Sequence, residues 1–268
     1  MSPHIKRWIT GIIAVPILVA VILYGSEGVF TGFIIIVILG AVIEYNRMVF
    51  NEESSWEKWE GLAVSFFFPL AAFSGDFRII LAVITCSVIS VFILFLLRTN
   101  TRSFDFAPLG TLVLGFMYIP FMLSHFILIR KSDDGIVWIF LILVFAFSGD
   151  IAAYYVGRML GKQKLLPSVS PGKTVEGTIA LLIGCVVGCL VFRYVFYPKL
   201  SVIHAVIIGL WGGILGQLGD LCESLIKRAS GVKDSGSFLI GHGGLLDRLD
   251  CLIFIAPLVY YYRLLIIA

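Results

Sequence analysis

Residues 136–156 read IVWIFLILVFAFSGDIAAYYV, with Asp150 as the only charged side chain. The run is as long as a helix needs to cross a bilayer, about 17–25 predominantly apolar residues. Similar runs occupy 8–25, 28–44, 61–75, 79–97, 107–129, 178–197, 202–222 and 250–267. Hydrophobic residues make up 59% of the 268-residue chain and charged residues 14%, and its mean hydropathy is +1.02. Twenty Lys and Arg with 17 Asp and Glu cannot cover that much apolar sequence with a polar surface, whereas lipid solvates it directly. The fold class expected is therefore all-α, a polytopic integral membrane protein of about nine transmembrane helices.

The stretch 9–24 behind Lys6 and Arg7 has the outline of a signal peptide, but no small-residue cleavage site follows, so it reads as a retained first span. Orientation follows from the basic residues. On the side of the N-terminus lie Lys6, Arg7, Arg47, Lys58, Arg98, Arg102, Arg158, Lys162, Lys164, Lys173, Lys227, Arg228, Lys233 and Arg248. The other side holds Arg78, Arg130, Lys131, Lys199 and Arg263, and Arg193 lies within a span. This bias puts the N-terminus in the cytoplasm, with the polar loops 157–177 and 223–249 on the same side. The expected organisation is a lipid-facing scaffold of about five spans over 1–130, then a catalytic transmembrane region over 131–268.

The net charge of +3 hides this asymmetry. No broad basic surface with aromatic or helical readers is present, so no nucleic-acid partner is expected. Cys86, Cys185, Cys189, Cys222 and Cys251 form no CxxC pair, so neither a zinc site nor a disulfide framework is indicated, and packing explains the shared helix face of Cys185 and Cys189. Residues 44–60, EYNRMVFNEESSWEKWE, suggest a short interfacial helix with Trp56 and Trp59 at headgroup level.

Asp150, Asp220, Asp247 and Asp250 sit inside or at the ends of apolar segments. An ionisable group at mid-bilayer costs about 2.5–3.5 kcal/mol on insertion scales, so it faces a cavity or a partner. Asp247 and Asp250, three residues apart, share a helix face. Converging carboxylates suit a hard divalent cation, which in phosphate-handling sites is usually Mg2+ held by one or two carboxylates, waters and substrate oxygens. Structural ion pairing with Lys227, Arg228 and Arg248 is the competing reading. Asp220, Ser224, Lys227 and Arg228 run along adjacent faces of one helical stretch, so the cations lie one to two turns from the acid.

Residues 233–250 read KDSGSFLIGHGGLLDRLD. Lys233 and Arg248 bracket glycines 241, 243 and 244, which allow close backbone approach to a ligand around His242. No second His or Cys stands at zinc-ligand spacing, so His242 is a candidate substrate contact. Acids for a metal, bases for phosphate oxygens and small residues for access imply a phosphoryl or nucleotidyl site.

The other loop, GRMLGKQKLLPSVSPGKTVEG over 157–177, has a GKT that invites comparison with a P-loop. That pattern needs glycine where Pro167 stands, and a preceding strand that a nine-span protein does not offer. What remains is a cluster of Ser170, Gly172, Lys173, Thr174 and Glu176 opening the next span, with Ser170 as the expected N-cap and Lys173 as a substrate contact. Asp150, Tyr154 and Arg158, at four-residue spacing, form one polar stripe or an intrahelical bridge.

These residues resemble the CDP-diacylglycerol synthase, or phosphatidate cytidylyltransferase, family. Its C-terminal signature runs Ser, two residues, Lys-Arg, four residues, Lys-Asp, then His-Gly-Gly and Asp-Arg-x-Asp. The chain supplies Ser224, Lys227, Arg228, Lys233, Asp234, His242, Gly243, Gly244, Asp247, Arg248 and Asp250. The SPGKTVEG loop and the stretch from Asp150 to Tyr154 are similar too. Ile240, Val175 and Cys251 stand where the family usually has proline, tryptophan and serine.

The resemblance implies transfer of CMP from CTP to phosphatidic acid in the cell inner membrane, with the site facing the cytoplasm, and a homodimer. A phosphomonoester is already largely ionised at neutral pH and needs no strong general base, consistent with the lack of a Ser-His-Asp arrangement. Catalysis then rests on positioning and charge neutralisation. The expected assignment gives Asp220, Asp247 and Asp250 to Mg2+, with room for a second cation. Lys173, Lys227, Arg228, Lys233 and Arg248 go to phosphate groups, and Asp150, Ser170, Thr174, Ser224, Asp234, His242, Gly243 and Gly244 to substrate. A CTP-dependent lipid or polyprenol kinase could use the same acids and bases, and intramembrane acids also occur in cation-coupled transporters.

Overall fold

Each of the nine apolar runs is helical. The structure, a computed structural model, describes residues 3–51, 54–98, 106–236, 238 and 243–267. Among these residues seven segments are long and apolar enough to span a membrane: Glu27–Val49, Phe77–Leu97, Ala107–Lys131, Gly135–Leu160, Val175–Phe196, Val202–Ala229 and Asp250–Ile267. The other two expected spans fall on a shorter apolar stretch, Gly11–Tyr24, and on Ser55–Ser74, whose first two turns carry Glu57, Lys58 and Glu60. The chain divides into two compact units. One comprises Met1–Lys131 with Asp234–Asp247, the other Ser132–Lys233 with Arg248–Ala268.

In the first unit the helices are α1 Pro3–Tyr24, α2 Glu27–Val49, α3 Ser55–Ser74, α4 Phe77–Arg98, α5 Ala107–Phe116 and α6 His125–Lys131. Ser26 caps α2 by accepting from the Val29 amide at 3.3 Å. Residues 44–60 are not one interfacial helix: α2 continues to Val49 and α3 starts at Ser55, while Trp56 and Trp59 are exposed. Phe50, Val64, Phe68, Val91, Leu112 and Phe116 form the core, and Tyr45 Oη donates to the Thr111 carbonyl at 2.9 Å. Between α5 and α6 the chain makes a π-helical turn, Met117–Phe121, around Pro120. Proline has no N–H to give, and the wider turn relieves its ring. Ser124 Oγ donates to the Pro120 carbonyl at 2.6 Å, and His125 Nδ1 lies 3.0 Å from that of Phe121. Side chains thus meet backbone carbonyls that lipid could not satisfy.

The second unit contains α7 Gly135–Leu160, β1 Lys164–Leu166, β2 Ser170–Thr174, α8 Val175–Phe196, α9 Val202–Ala229 and α10 Asp250–Tyr262, which continues as a π-helical turn Arg263–Ile267. The strands pair antiparallel, Lys164 opposite Thr174 and Leu166 opposite Ser170, with an irregularity between. This hairpin is the one sheet among the described residues. Helices α7 and α8 meet through small residues. A Cβ at Gly149 would enter the Leu181–Cys185 surface, one at Gly184 would sit 2.7 Å from Ala152 Cβ, and Ser148 Oγ donates to the Gly184 carbonyl at 2.9 Å. Close backbone approach with polar glue is how helices associate where lipid removes the hydrophobic drive.

Candidate active site

The hairpin determines where Lys173 goes. The Val175 amide donates to the Gln163 carbonyl at 2.9 Å, and the Glu176 carboxylate accepts from the Lys162 amide at 3.1 Å, so the chain leaving α7 is pinned to the start of α8. Thr174, not Ser170, is the N-cap of α8: its Oγ1 accepts from the Gly177 amide at 3.1 Å. The two are four residues apart, and Ser170 is taken up by the start of β2, leaving the helix to begin after Thr174. Lys173, last but one in the strand, then reaches α9, where its Nζ lies 2.6 Å from Asp220 Oδ2. One turn on, Ser224 Oγ donates to Asp220 Oδ1 at 3.4 Å.

Asp250 enters the same cluster through the helix backbones. A Cβ at Gly219 would run into the Asp250 carbonyl, so glycine lets α9 meet the first residue of α10 at the position before Asp220. Asp250 is within electrostatic reach of Asp220, Asp150 and Lys173, and Asp150, exposed on α7, of Asp220, Lys173 and Arg248. Four expected side chains of the second unit, Asp150, Lys173, Asp220 and Asp250, are thus gathered with Ser224 beside them. Three acids meet here with Lys173, and Arg248 is within electrostatic reach of Asp150.

The remaining expected cations of this unit have other engagements. Lys227 Nζ lies 2.6 Å from Glu223, a fully buried carboxylate one turn back on α9. Arg228 Nε donates to the Val169 carbonyl at the hairpin tip and Nη1 to the Val232 carbonyl, both at 3.2 Å. Arg158 Nη1 donates to Tyr154 Oη at 3.0 Å, so that pair forms the hydrogen-bonded part of the α7 stripe. Lys233 and Arg248 are exposed.

Asp234, Gly243, Gly244 and Asp247 belong to the first unit, and His242 lies outside the described residues. The Asp247 carboxylate accepts from the Gly244 amide at 2.9 Å and from the Ser235 amide at 3.2 Å. Gly243 has φ 86°, a conformation open to glycine and strained for most other residues. Sequence reading missed Glu44. This residue of α2, 2% exposed, accepts from Ser235 Oγ at 3.1 Å, the Phe238 amide at 3.4 Å and the Leu246 amide at 2.9 Å. Its only signal was an acid at the end of an apolar run, which reads as the edge of a span when α2 is taken to stop there.

Among the described residues no group of three or more His, Cys, Asp and Glu could hold a metal ion. That donor set does not suit a metal caged by protein alone. It does suit Mg2+, which keeps waters and takes one or two carboxylates together with substrate phosphates, and Asp220 and Asp250 supply such a pair.

Comparison with known proteins bears on the chemistry. A sequence model described as the cytidylyltransferase family matches residues 5–266. The chain is 41% identical over 178 residues to a phosphatidate cytidylyltransferase of Bacillus subtilis, covering 65% of this chain and 66% of that protein. It is 36% identical over 203 residues to one of Synechocystis, covering 65% and 69%, and 37% identical over 163 residues to one of Staphylococcus haemolyticus, covering 61% of each. The match thus spans about two thirds of these curated relatives.

Proposed function

This chain belongs to the cytidylyltransferase family, and we propose from that premise that it transfers CMP from CTP to phosphatidic acid. The products are CDP-diacylglycerol and pyrophosphate. A phosphate oxygen of the lipid attacks the α-phosphorus of CTP, a new P–O–P link forms, and the bond to the bridging oxygen of the β-phosphate breaks as pyrophosphate leaves with the electron pair. No proton has to be removed from an ionised phosphomonoester, so the work of the site is to bring anions together and stabilise the charge on the leaving group.

The single observation that carries this reading is the pair of Lys173 from the hairpin with Asp220 of α9, beside Asp250 at the start of α10. Lys173 is assigned to phosphate oxygens of CTP. Its Nζ is paired with Asp220 at 2.6 Å, which holds the ammonium beside the acids. Asp220 and Asp250, with Asp247 from the sequence pattern, are the carboxylates assigned to Mg2+. When bound, that ion would neutralise phosphate oxygens and favour departure of pyrophosphate. Lys227, Arg228, Lys233 and Arg248 are assigned to the surrounding phosphate charge, and Asp150, Ser170, Thr174, Ser224, Asp234, His242, Gly243 and Gly244 to substrate. We place the site at the cytoplasmic face of the inner membrane, where CTP arrives from water and the diacyl substrate from lipid. The resemblance adds a homodimer, which light scattering in detergent tests.

The test uses purified protein in detergent with Mg2+, phosphatidic acid and CTP labelled separately at the α and γ phosphorus. Label entering lipid from the α position alone is the expected result. Label from γ would make the protein a lipid kinase, and no label would return the transporter reading to the front.

A further inference from the structure

The reading of the reaction gives Asp247 a part in the chemistry, and the first unit shows how that carboxylate is held. Ser235 is shared between two acids: its hydroxyl donates to Glu44 at 3.1 Å and its amide to Asp247 at 3.2 Å. Leu246, immediately before Asp247, donates its amide to Glu44 at 2.9 Å. Gly244, whose amide donates to Asp247, lies so close that a Cβ there would sit 2.7 Å from Glu44 Oε2, and one at Gly236 would sit 2.7 Å from Glu44 Cδ. Glu44 thus bears on the residue before Asp247 and on both described residues whose amides donate to its carboxylate.

Resting on that reading, we infer that Glu44 is a positioning residue, which fixes the Asp247 carboxylate through Ser235, Gly244 and Leu246. All its described donors are neutral N–H and O–H groups, and a carboxylate is an acceptor-only group that receives them on two oxygens. Glutamine keeps the volume but must point an NH2 at one of the donors. A buried acid with no cation among its described hydrogen-bond partners is costly to maintain for packing alone. Its use here is to aim a second carboxylate, as hydrogen-bond partners behind metal ligands do.

The experiment compares the full-length wild type, Glu44→Gln, Glu44→Asp and Ser235→Ala in detergent. It measures kcat and KM for α-label transfer, unfolding midpoint, and hydrogen exchange at the Gly244 and Leu246 amides. For Glu44→Gln the expected result is kcat lower by about 10–100-fold, KM for phosphatidic acid unchanged, and faster exchange at both amides. Glu44→Asp, which keeps the acceptor-only group, should recover part of kcat. If the Glu44 variants do not fold, Ser235→Ala carries the test, with about a 10-fold fall in kcat expected. Wild-type kcat per folded molecule, or unchanged exchange, in the variant that folds overturns the inference. A wild type that makes no CDP-lipid overturns the reaction reading and the inference with it, an outcome separated from the first by the wild-type control.

Discussion

Lys173 and Asp220 form an ion pair at 2.6 Å across the second unit, with side chains 20% and 35% exposed. One is delivered by a short hairpin and the other by a membrane helix, more than two turns before its end. The contact is partly solvated, and exposed pairs contribute about 0–1 kcal/mol to stability. Lys173→Met should therefore lower the unfolding midpoint in detergent by no more than about 4 °C. Removing a cation from developing phosphate charge should lower kcat/KM by about 10²-fold. Midpoint and activity measured on the same preparation separate the two effects. A collapse of the midpoint with normal activity per folded molecule would make the pair structural.

Asp220→Asn and Asp250→Asn should each abolish most transfer, and the two losses should not add, because the carboxylates act as one donor set. Asp220→Asn should also raise the Mg2+ concentration that gives half-maximal rate. A Mg2+ titration of both single variants and the double variant checks this. Losses that multiply would place the two acids in separate tasks.

Gly219→Ala tests the backbone contact that brings Asp220 beside Asp250. The added Cβ meets the Asp250 carbonyl, and separating α9 from α10 should cost about 1–3 kcal/mol as overpacking and remove activity. Gly32→Ala on α2, where nothing lies within 4 Å of the added Cβ, is the control and should be neutral or slightly stabilising by propensity. Thermal unfolding of both variants, with the transfer assay, gives the answer.

Much of this was legible in the chain. Positions of the helices follow from hydropathy because lipid forces an unbroken apolar run, and Asp150, Asp220, Asp247 and Asp250 stand out because a charge in such a run is expensive. The π-helical turn around Pro120 carries no periodic signal, and one proline in a span predicts a kink without its form. The hairpin was hidden because Ser170–Thr174 is rich in Pro, Gly and Ser-type residues that read as loop. Ser170 was the expected cap of α8, and only the pairing of Ser170–Thr174 as a strand hands that role to Thr174. Glu44 and Leu246 are far apart in sequence, with no local pattern to pair them. Arg228 was assigned by its charge, its place along the helix with Asp220 and the family signature, whereas its hold on the Val169 carbonyl depends on where the hairpin tip comes to rest.

Arg228 yields a prediction through that hold. Its Nε and Nη1 tie the hairpin tip at Val169 and the turn at Val232 to the end of α9, a two-carbonyl geometry that a planar guanidinium provides and an ammonium does not. Arg228→Lys keeps the charge, so a role limited to phosphate neutralisation would leave most activity. A strap would not, and the hairpin would open. The expected outcome is faster tryptic cleavage at Lys164 in β1 together with a fall in kcat of at least about 10-fold, comparable to losing a positioning partner. Unchanged cleavage with near-normal kcat would return Arg228 to a purely electrostatic role.

The orientation expected of the second unit can be tested at the two ends of α8. Its 22 residues, Val175–Phe196, rise about 33 Å, enough to cross the hydrocarbon core of about 30 Å. Lys162 lies just beyond α7 at one end, and Lys199 precedes α9 at the other. The basic residues expected outside in this unit are tied down: Lys199 Nζ lies 3.4 Å from Asp134 Oδ2, and Arg263 Nη2 donates to the Asp133 carbonyl at 2.9 Å. The expected orientation, with the exposed Lys162 and Lys164 inside and Lys199 and Arg263 outside, follows from the majority of basic residues and is open to chemical labelling. In a background with the five native cysteines replaced by alanine, Lys199→Cys should react with a membrane-impermeant maleimide in intact spheroplasts. Lys162→Cys should react only after permeabilisation. The reverse labelling would invert the protein and move the hairpin, with Lys173, away from the side where CTP is found.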